Sequence, residues 1–447
     1  MPKKRKKYKL KKKDNVVKEF QEKYIISPSN GSKRYIDETW DFRKENTKEY
    51  THCFHAYPAM MIPQIARRII ATYGKKAKLL FDPYCGTGTS LVEANIVDID
   101  AIGTDLNPLA RLIAETKTTS LNIQTLDLYL KDFTDKVFAF RFGKRDIHSI
   151  VLPDFKNIDF WFSKTIQRQL ALIKKYIEKI SDVPIQNFFK VAFSETIREC
   201  SYTKNGEFKL VRMTEDRIKK FKPDVLGIIE YKLSRNRNGL ISYLKTKKNG
   251  AFARIHQFNS VEGIPKNIFL LEGNADIVVT SPPYGDSRTT VAYGQFSRLA
   301  NQWLDYSGAS QVDNILMGGV RNGVNYHFKS SALNETIEKI NKQDENRCKD
   351  VTSFFYDYQK SIANVSSVLK HGGHACYVVG NRTVKGVNIP MDEITKQIFQ
   401  ENDLKHIETI IRNIPNKRMP LENSPTNVTG EKSTTMRNEF IVVCQKK

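Results

Sequence analysis

The stretch that decides the fold is AKLLFDPYCGTGTSLVEANIVDIDAIGTDLNPLARLIAETK, residues 77–117. Its pattern of apolar residues and turn residues predicts a strand over 78–81, a turn containing two glycines, a helix over about 89–97, a second strand over 101–104 and a helix from about Asn107. Two strands joined through a helix form neighbours in a parallel sheet that has helices on its faces. The stretch therefore predicts an α/β fold with a doubly wound, Rossmann-like sheet.

The turn after the first strand carries the features of a ligand site. Gly86 and Gly88 permit positive φ angles and a close approach of a ligand to the backbone. The turn lacks the GK[ST] of a phosphate loop, and Leu91 stands where a dinucleotide-binding fingerprint has its third glycine. Asp105, at the end of the second strand, suits the two hydroxyls of a ribose, and Asp82 suits a cationic amine. A ligand with an amine, a ribose and no pyrophosphate indicates S-adenosylmethionine.

A second decisive stretch is DIVVTSPPYGDS, residues 276–287. Two consecutive prolines lack backbone N–H donors, so the apolar strand must end at about Thr280. If this strand lies beside the first one, the loop Ser281–Tyr284 faces the cofactor. Its rigid carbonyls and the Ser281 hydroxyl can accept both protons of an exocyclic amino group. Tyr284 offers a face on which a base stacks, worth about 1–3 kcal/mol, and methyl transfer would then depend on positioning.

The remaining chain divides into three parts by composition. We predict a basic, loosely ordered arm over 1–50, a catalytic domain over 51–120 and 251–447, and a large, basic, mostly helical insertion over 121–250. Within the catalytic domain we expect a helix that starts at Pro58 and ends at Gly74, and we expect a loop or an insertion over about 307–350.

Charge and composition limit the partners. The net charge of +23 indicates a polyanionic partner such as nucleic acid. No apolar run reaches the length of about 18–20 residues that a membrane span needs, and the N-terminus lacks the apolar segment of a signal peptide. We therefore expect a cytoplasmic protein that does not bind membranes. The six cysteines show no metal-binding spacing, so we predict no metal site.

These motifs together resemble a known family. DPYCGTGT resembles the S-adenosylmethionine motif of DNA amino-methyltransferases, TSPPYG resembles their catalytic motif, and FHAYPAMMIP (54–63) and GGHACYVVGN (372–381) resemble two further motifs. The resemblance covers most of 52–118 and 252–447, and it implies that the insertion over 121–250 serves target recognition. It implies a seven-stranded sheet with a reversed last hairpin, flipping of the target base, and methylation of an exocyclic nitrogen in double-stranded DNA. It also implies a nucleoid-associated prokaryotic protein that protects host DNA beside a cognate restriction endonuclease.

The resemblance assigns roles to individual residues. The catalytic residues would be Ser281, Pro282, Pro283 and Tyr284. The cofactor-binding residues would be Phe54, Tyr57, Pro58, Asp82, Pro83, Cys85, Gly86, Thr87, Gly88, Thr89, Asp105 and Asn107. Asn259 and Ser260 stand where the family usually has an acidic residue close to the adenine of the cofactor.

Several alternatives stay open at this point. A leading serine in the catalytic motif is more typical of N4-cytosine enzymes, whereas Asp or Asn is more typical of N6-adenine enzymes. An RNA amino-methyltransferase and a non-enzymatic, basic DNA-binding scaffold are the other hypotheses. The basic stretch 217–239 fits contacts with phosphates, or it forms a solvated charged surface. The recognition sequence and the oligomeric state do not follow from the sequence.

Overall fold

The computed structural model describes residues 34–143, 150–204, 206, 209–248, 250–269, 274–285, 292–321, 326–414, 422–423, 433–434 and 438–447. The strands are β1 Arg34–Ile36, β2 Leu79–Asp82, β3 Asp100–Thr104, β4 Ala253–His256, β5 Ala275–Thr280, β6 Leu369–Val379, β7 Arg382–Val384, β8 Val387–Ile389, β9 Leu404–Asn413, β10 Glu422–Asn423, β11 Ser433–Thr434 and β12 Asn438–Lys446.

The helices surround these strands in the sequence. They are α1 Pro63–Tyr73, α2 Thr89–Ile96, α3 Pro108–Thr118, α4 Ile123–Phe142, α5 Ile158–Trp161, α6 Lys164–Glu178, α7 Val183–Cys200, α8 Glu215–Lys220, α9 Val225–Thr246, α10 Tyr293–Trp303, α11 Val312–Ile315, α12 Ser331–Asn341, α13 Glu345–Ser367 and α14 Met391–Glu401. Short 3-10 helices cover Glu38–Trp40, Tyr50–Phe54 and Lys266–Ile268.

The main sheet has eight strands in the order β1-β9-β12-β6-β5-β2-β3-β4. Strand β12 runs antiparallel to both β6 and β9, and every other pair in this sheet is parallel. This confirms the doubly wound α/β sheet and its reversed last hairpin. All four residues of β2 are buried, as expected for a central parallel strand that is covered on both faces.

An eighth strand joins the seven that the sequence predicts. Strand β1 pairs in parallel with β9, and Trp40 just after it is buried under the guanidinium of Arg68, 4.1 Å from the ring centroid. The prediction of a loosely ordered arm is therefore wrong for residues 34–50, because strand β1, the buried Trp40 and the hydrogen bonds that Asp41 and Glu49 accept from Asn413 and Arg67 tie this segment to the domain. Residues 1–33 of that arm lie outside the described residues.

Two boundaries also differ from the prediction. Helix α1 begins at Pro63, whereas Pro58 lies in the preceding loop, and Gly74 ends the helix as expected. A helix that began at Pro58 would hold Pro63 in its interior, where proline removes a hydrogen bond and clashes. The stretch 307–350 is not wholly loop, because it holds α12, which Ser330 caps, and the first turns of α13.

The helices α4 to α9 form the predicted helical insertion and pack around one core. Its apolar side chains share a cluster with residues of α2, α3 and α10. Phe188 and Phe189 on α7 are fully buried in it. No helix in the described part of the chain is long and apolar enough to cross a membrane.

A buried ion pair joins α1 to α2 beside the first turn. The Glu93 carboxylate accepts from Nε of Arg67 at 2.8 Å, from Nη2 of Arg67 at 3.0 Å and is 2.9 Å from Nε2 of His52. The side chain of Glu93 has no exposed surface, and that of Arg67 is 6% exposed. Removing one partner of such a pair leaves a buried charge without its counter-ion.

We expect Glu93→Ala to lower the free energy of unfolding by about 3 kcal/mol, because it leaves the buried Arg67 guanidinium only the partly exposed Glu49, at 3.2 Å, as counter-ion. Urea and thermal unfolding measure this change. Glu335→Ala is the matched control, because Glu335 forms an exposed pair with Lys339 on α12, and it should leave stability unchanged within error. Equal stability of both variants would contradict the role of the buried pair.

Candidate active site

A cleft opens where β2, β3 and β5 end, and it encloses about 1040 Å³ of empty space including its open mouth. Parallel strands β2 and β5 are neighbours, with Leu80 opposite Ile277 and Phe81 opposite Val278. The two motif loops therefore start side by side, as the sequence predicts. Most of the predicted site residues line the cleft: Tyr57, Pro58, Asp82, Pro83, Cys85, Gly86, Thr87, Thr89, Asp105, Asn107, Ser281 and Pro283.

Four predicted residues do not line this cleft. Phe54 is fully buried in the core, where its ring meets that of Phe188 edge to face at 5.6 Å. Gly88 caps α2 at φ 74°, and a Cβ there would lie 3.0 Å from Cβ of Ala114. Pro282 is buried, and Tyr284 is half-buried beneath the loop. The expectation that Phe54 borders the cofactor is not what the structure shows, since its ring packs inward.

Asp105 directly follows β3 and lines the cleft. One carboxylate oxygen accepts from the Gly86 N–H at 3.1 Å and the other from the Asn107 N–H at 2.7 Å. Burial raises the pKa of Asp105 to about 6, and these hydrogen bonds together with Arg111 oppose the rise. Each oxygen keeps further acceptor capacity for a ligand hydroxyl.

Asn107 connects this carboxylate to the neighbouring walls. Its Oδ1 accepts from the Leu109 N–H at the start of α3, and its Nδ2 donates to the Tyr57 hydroxyl at 2.8 Å. The Tyr57 ring stacks on the ring of Tyr293 at 6.1 Å between centroids. The helix cap and the aromatic wall of the cleft are thus held by one amide.

The Asp82 carboxylate joins three elements of the site. It accepts from the hydroxyl of Ser90 on α2, from Oγ1 of Thr280 on β5 at 2.5 Å, and from the Tyr84 N–H at 3.1 Å. Burial raises the pKa of Asp82 to about 6, and the three donors oppose the rise. Asp82 thereby fixes the first turn against the strand that carries the second loop, in addition to lining the cleft.

Hydrogen bonds between Tyr284, Ser281 and Glu439 on β12 anchor the loop after β5. The Tyr284 hydroxyl lies 3.1 Å from Oγ of Ser281 and donates to Oε1 of Glu439 at 3.1 Å. A Cβ at Gly285 would collide with the guanidinium of Arg382, so any larger residue there would have to displace that side chain. Ser281 and Pro283 face the cleft from this fixed loop.

Cys85 lines the first turn as a packed thiol. Cβ of a side chain at Gly103 would lie 2.9 Å from Cβ of Cys85, so the thiol packs closely on β3. Burial, reinforced by the nearby Asp105, raises the pKa of the Cys85 thiol well above its usual range. A neutral thiol is a poor nucleophile, which agrees with a packing role for Cys85 in this turn.

Several lining residues are absent from the sequence prediction. They are Ala59, Met60, Met61, Tyr84, Ser90, Leu106, Phe258, Val261, Tyr293, Leu316 and Met317. Asn259 and Ser260, which the prediction had singled out, line the cleft as well. Asn259 accepts from the Val261 N–H at 3.1 Å and donates to Glu262 at 3.1 Å. Leu316 and Met317 follow α11 in a stretch with no motif, so no sequence signal could have found them.

The cations of the basic stretch 217–239 fall into two groups, one paired and one exposed. Lys232 is buried and pairs with Glu199 at 2.6 Å and Glu195 at 3.2 Å. Arg235 pairs with Glu195 at 2.7 Å, and Arg237 donates to Asp127. These three cations hold α9 against its neighbours. The exposed cations of this stretch are on and just after α8: Arg217, Lys219, Lys220 and Lys222.

Comparisons with known proteins identify the family of this chain. The family model described as DNA methylase matches residues 1–115 and 275–447. A type II methyltransferase of Kocuria varians, M.MvaI, is 38% identical over 421 residues, which are 90% of this chain and 92% of that protein. M.MjaII of Methanocaldococcus jannaschii is 30% identical over 168 residues, 37% of this chain and 29% of its own. M.BsoBI of Geobacillus stearothermophilus is 21% identical over 449 residues, 84% of each chain.

We expect Thr280→Val to lower the free energy of unfolding by about 2 kcal/mol at pH 8, because the ionised Asp82 loses a hydroxyl donor. The lost donor also raises the pKa of Asp82 in the folded protein above about 6. The loss of stability in Thr280→Val is therefore fully present above that pH. It is smaller at pH 5, where the Asp82 carboxyl is protonated in both the wild type and the variant.

Urea unfolding of both proteins at pH 5 and pH 8 measures the difference. Thr336→Val is the control, since its hydroxyl donates to the backbone carbonyl of Ala332 and no titrating group is involved. A cost at Thr280 that does not change with pH would contradict the bond to an ionised Asp82.

Proposed function

Because this chain belongs to the DNA methylase family of type II methyltransferases, we propose that it transfers a methyl group from S-adenosylmethionine to N4 of cytosine in double-stranded DNA. The observation that carries this proposal is the shared cleft. Asp105 and the glycine turn line one part of it, and Ser281 and Pro283 line another. A nucleoside site and an amino-accepting loop within one cleft suit direct transfer between two bound molecules.

The residues present fit the cofactor. The carboxylate of Asp105 would accept the ribose hydroxyls, and the turn Cys85–Thr89 with Met60 would border the methionine portion. Phe258 and Asn259 would border the adenine, without the acidic residue that the family usually has there. When bound, S-adenosylmethionine supplies a methyl group that is activated by its attachment to a positive sulfur. Two buried carboxylates favour a ligand that carries positive charge.

The loop Ser281–Tyr284 would hold the target amino group. Pro282 and Pro283 have no N–H groups, so the loop presents carbonyl acceptors without competing donors. Oγ of Ser281 adds a further acceptor at the cleft. The proton that leaves the nitrogen during methylation would pass to an acceptor of this loop or to water. Stacking of the base on Tyr284 remains a prediction, and the fixed hydroxyl of Tyr284 holds its ring in one orientation.

The choice of cytosine rests on Ser281, because a leading serine is more typical of N4-cytosine enzymes. N6-adenine in DNA and an amino group in RNA are the competing targets. We further propose that the base is flipped out of the duplex to reach the cleft. The exposed cations of α8 would contact phosphates, and a cognate restriction endonuclease in a prokaryotic cytoplasm would share the recognition sequence.

We expect the purified protein to transfer tritiated methyl groups from S-adenosylmethionine to duplex DNA, and hydrolysed product to contain N4-methylcytosine. Chromatography of the labelled nucleosides identifies the base. N6-methyladenine would overturn the choice of cytosine, and labelling of RNA alone would overturn the DNA substrate. Ser281→Ala should abolish most of the transfer, because the amino group loses one of its acceptors.

We expect cofactor affinity to rise as the pH increases from 5 to 7, because Asp105 must be ionised to accept two hydroxyls and its pKa is raised to about 6. Asp105→Asn should weaken binding by about 10- to 100-fold at pH 7 and reduce this dependence to the share that Asp82, whose pKa is also raised to about 6, contributes. Isothermal titration at several pH values measures both effects.

The exposed Asp98, in the loop before β3, provides the matched control. Asp98→Asn should change neither the affinity nor its pH dependence. An unaltered rise with pH in Asp105→Asn would assign the titration to another group.

A further inference from the structure

One residue beneath the site, Glu439, takes no part in the mechanism described above. Glu439 lies near the start of β12, far in sequence from the loop after β5, and its Oε1 accepts from the hydroxyl of Tyr284 at 3.1 Å. The same hydroxyl is 3.1 Å from Oγ of Ser281. Three polar groups thus form one chain of hydrogen bonds, from a carboxylate beneath the loop to the serine at the cleft.

The carboxylate is held in place by a buried cation. Arg412 is the direct neighbour of Glu439 across the antiparallel pair β9–β12, and its Nη1 pairs with Oε2 of Glu439. Its Nε donates to the Trp40 carbonyl at 2.8 Å, and its Nη2 donates to the Asp41 carbonyl at 3.2 Å. The side chain of Arg412 is only 4% exposed. Oε2 of Glu439 is therefore paired with Arg412, and Oε1 is the oxygen that accepts from Tyr284.

The ion pair with Arg412 sets a direction for this chain of hydrogen bonds. A carboxylate that is paired with a guanidinium accepts protons, so Tyr284 donates its single proton to Glu439. The geometry alone allows either Ser281 or Tyr284 to donate in the contact between their oxygens, and with the Tyr284 proton engaged the donor is Ser281. Burial, reinforced by Glu439, raises the pKa of Tyr284 well above its usual range, so the tyrosine keeps its proton. When Ser281 donates to Tyr284, its Oγ offers only lone pairs to a ligand in the cleft.

We propose that Glu439 is a positioning residue that makes Ser281 an acceptor only, so that the loop selects an exocyclic amino group and leaves its nitrogen lone pair free. This inference rests on the proposed function of Ser281. An amino group brings two N–H donors and matches such a site. A serine that pointed its proton into the cleft would instead donate to the nitrogen and occupy the lone pair that must take the methyl group. A base that carries a carbonyl oxygen at this position would meet only other acceptors and could form no hydrogen bond with them.

The substitution Glu439→Gln tests this inference, because it keeps the shape of the side chain and reverses the direction in which the hydrogen bonds through Tyr284 to Ser281 are donated. Arg412 requires an acceptor, so the amide oxygen of Gln turns toward Arg412 and the amide NH2 toward Tyr284. Tyr284 then donates to Ser281, and the proton of Ser281 points into the cleft. We expect kcat to fall on the order of 10- to 100-fold, while KM for DNA, cofactor affinity and the unfolding temperature stay close to wild type.

Glu408→Gln is the matched control. Glu408 lies on β9 and accepts hydroxyl protons from Tyr35 at 2.7 Å and Tyr73 at 2.6 Å, but it does not line the cleft. The same chemical change at this carboxylate should leave kcat unchanged. Equal losses in the two variants would show a general effect of removing a charge from this part of the sheet, and would overturn the inference.

A double-mutant cycle with Tyr284→Phe shows whether Glu439 acts through the hydroxyl of Tyr284 or through a general effect on the structure. This second substitution removes the hydroxyl that links Glu439 to Ser281, so Glu439→Gln should have no further effect on single-turnover rates in that background. Additive losses would mean that Glu439 acts by another route. Tyr284→Phe also serves if Glu439→Gln fails to fold, because it should lower kcat without a change in KM, and a wild-type kcat would overturn the inference.

The outcomes for the two proposals are distinct. If the wild-type protein methylates no DNA, the proposed function fails. If the wild type is active and Ser281→Ala is not, while Glu439→Gln keeps the full kcat, the proposed function stands and the role of Glu439 falls.

Discussion

The hydrogen bonds of the Asp82 carboxylate are the constraint on which the site depends. Asp82 lies at the last position of β2 and accepts from α2, from β5 and from its own turn. Strand pairing alone would allow the two loops to shift relative to one another. The shared carboxylate removes that freedom, because moving either loop would leave a buried charge without its donors. The geometry of a bimolecular transfer is thereby built into the fold before any ligand binds.

A second constraint acts on the loop from the opposite side. Arg412 and Glu439 connect the Ser281–Tyr284 loop to β9, to β12 and to the backbone of Trp40 and Asp41. The backbone of Trp40 and Asp41, just after β1, is thus connected to the loop through two ion-paired side chains. Residues near both ends of the described chain therefore support one short loop.

Much of this arrangement is predictable from the sequence, and what is not has physical causes. The strands β2, β3 and β5 and the helices after them follow from continuous apolar runs that end in glycine or proline. The start of α1 is ambiguous because two prolines qualify, and only the later one keeps the helix interior free of proline. Phe54 sits in a segment that resembles a cofactor motif, yet its ring fills the core. Strand β1 is too short for a periodic signal, and Glu439 gains its meaning only from pairing across β9 and β12.

The most direct measurement of the central claim is a crystal structure of the protein with S-adenosylhomocysteine and a duplex that contains its methylation site. We predict that the target base is flipped into the cleft, with its amino nitrogen within hydrogen-bond distance of Oγ of Ser281 and with the ribose hydroxyls of the cofactor product on Asp105. A target base that stays stacked in the duplex, or an amino group that lies away from Ser281, would contradict the account.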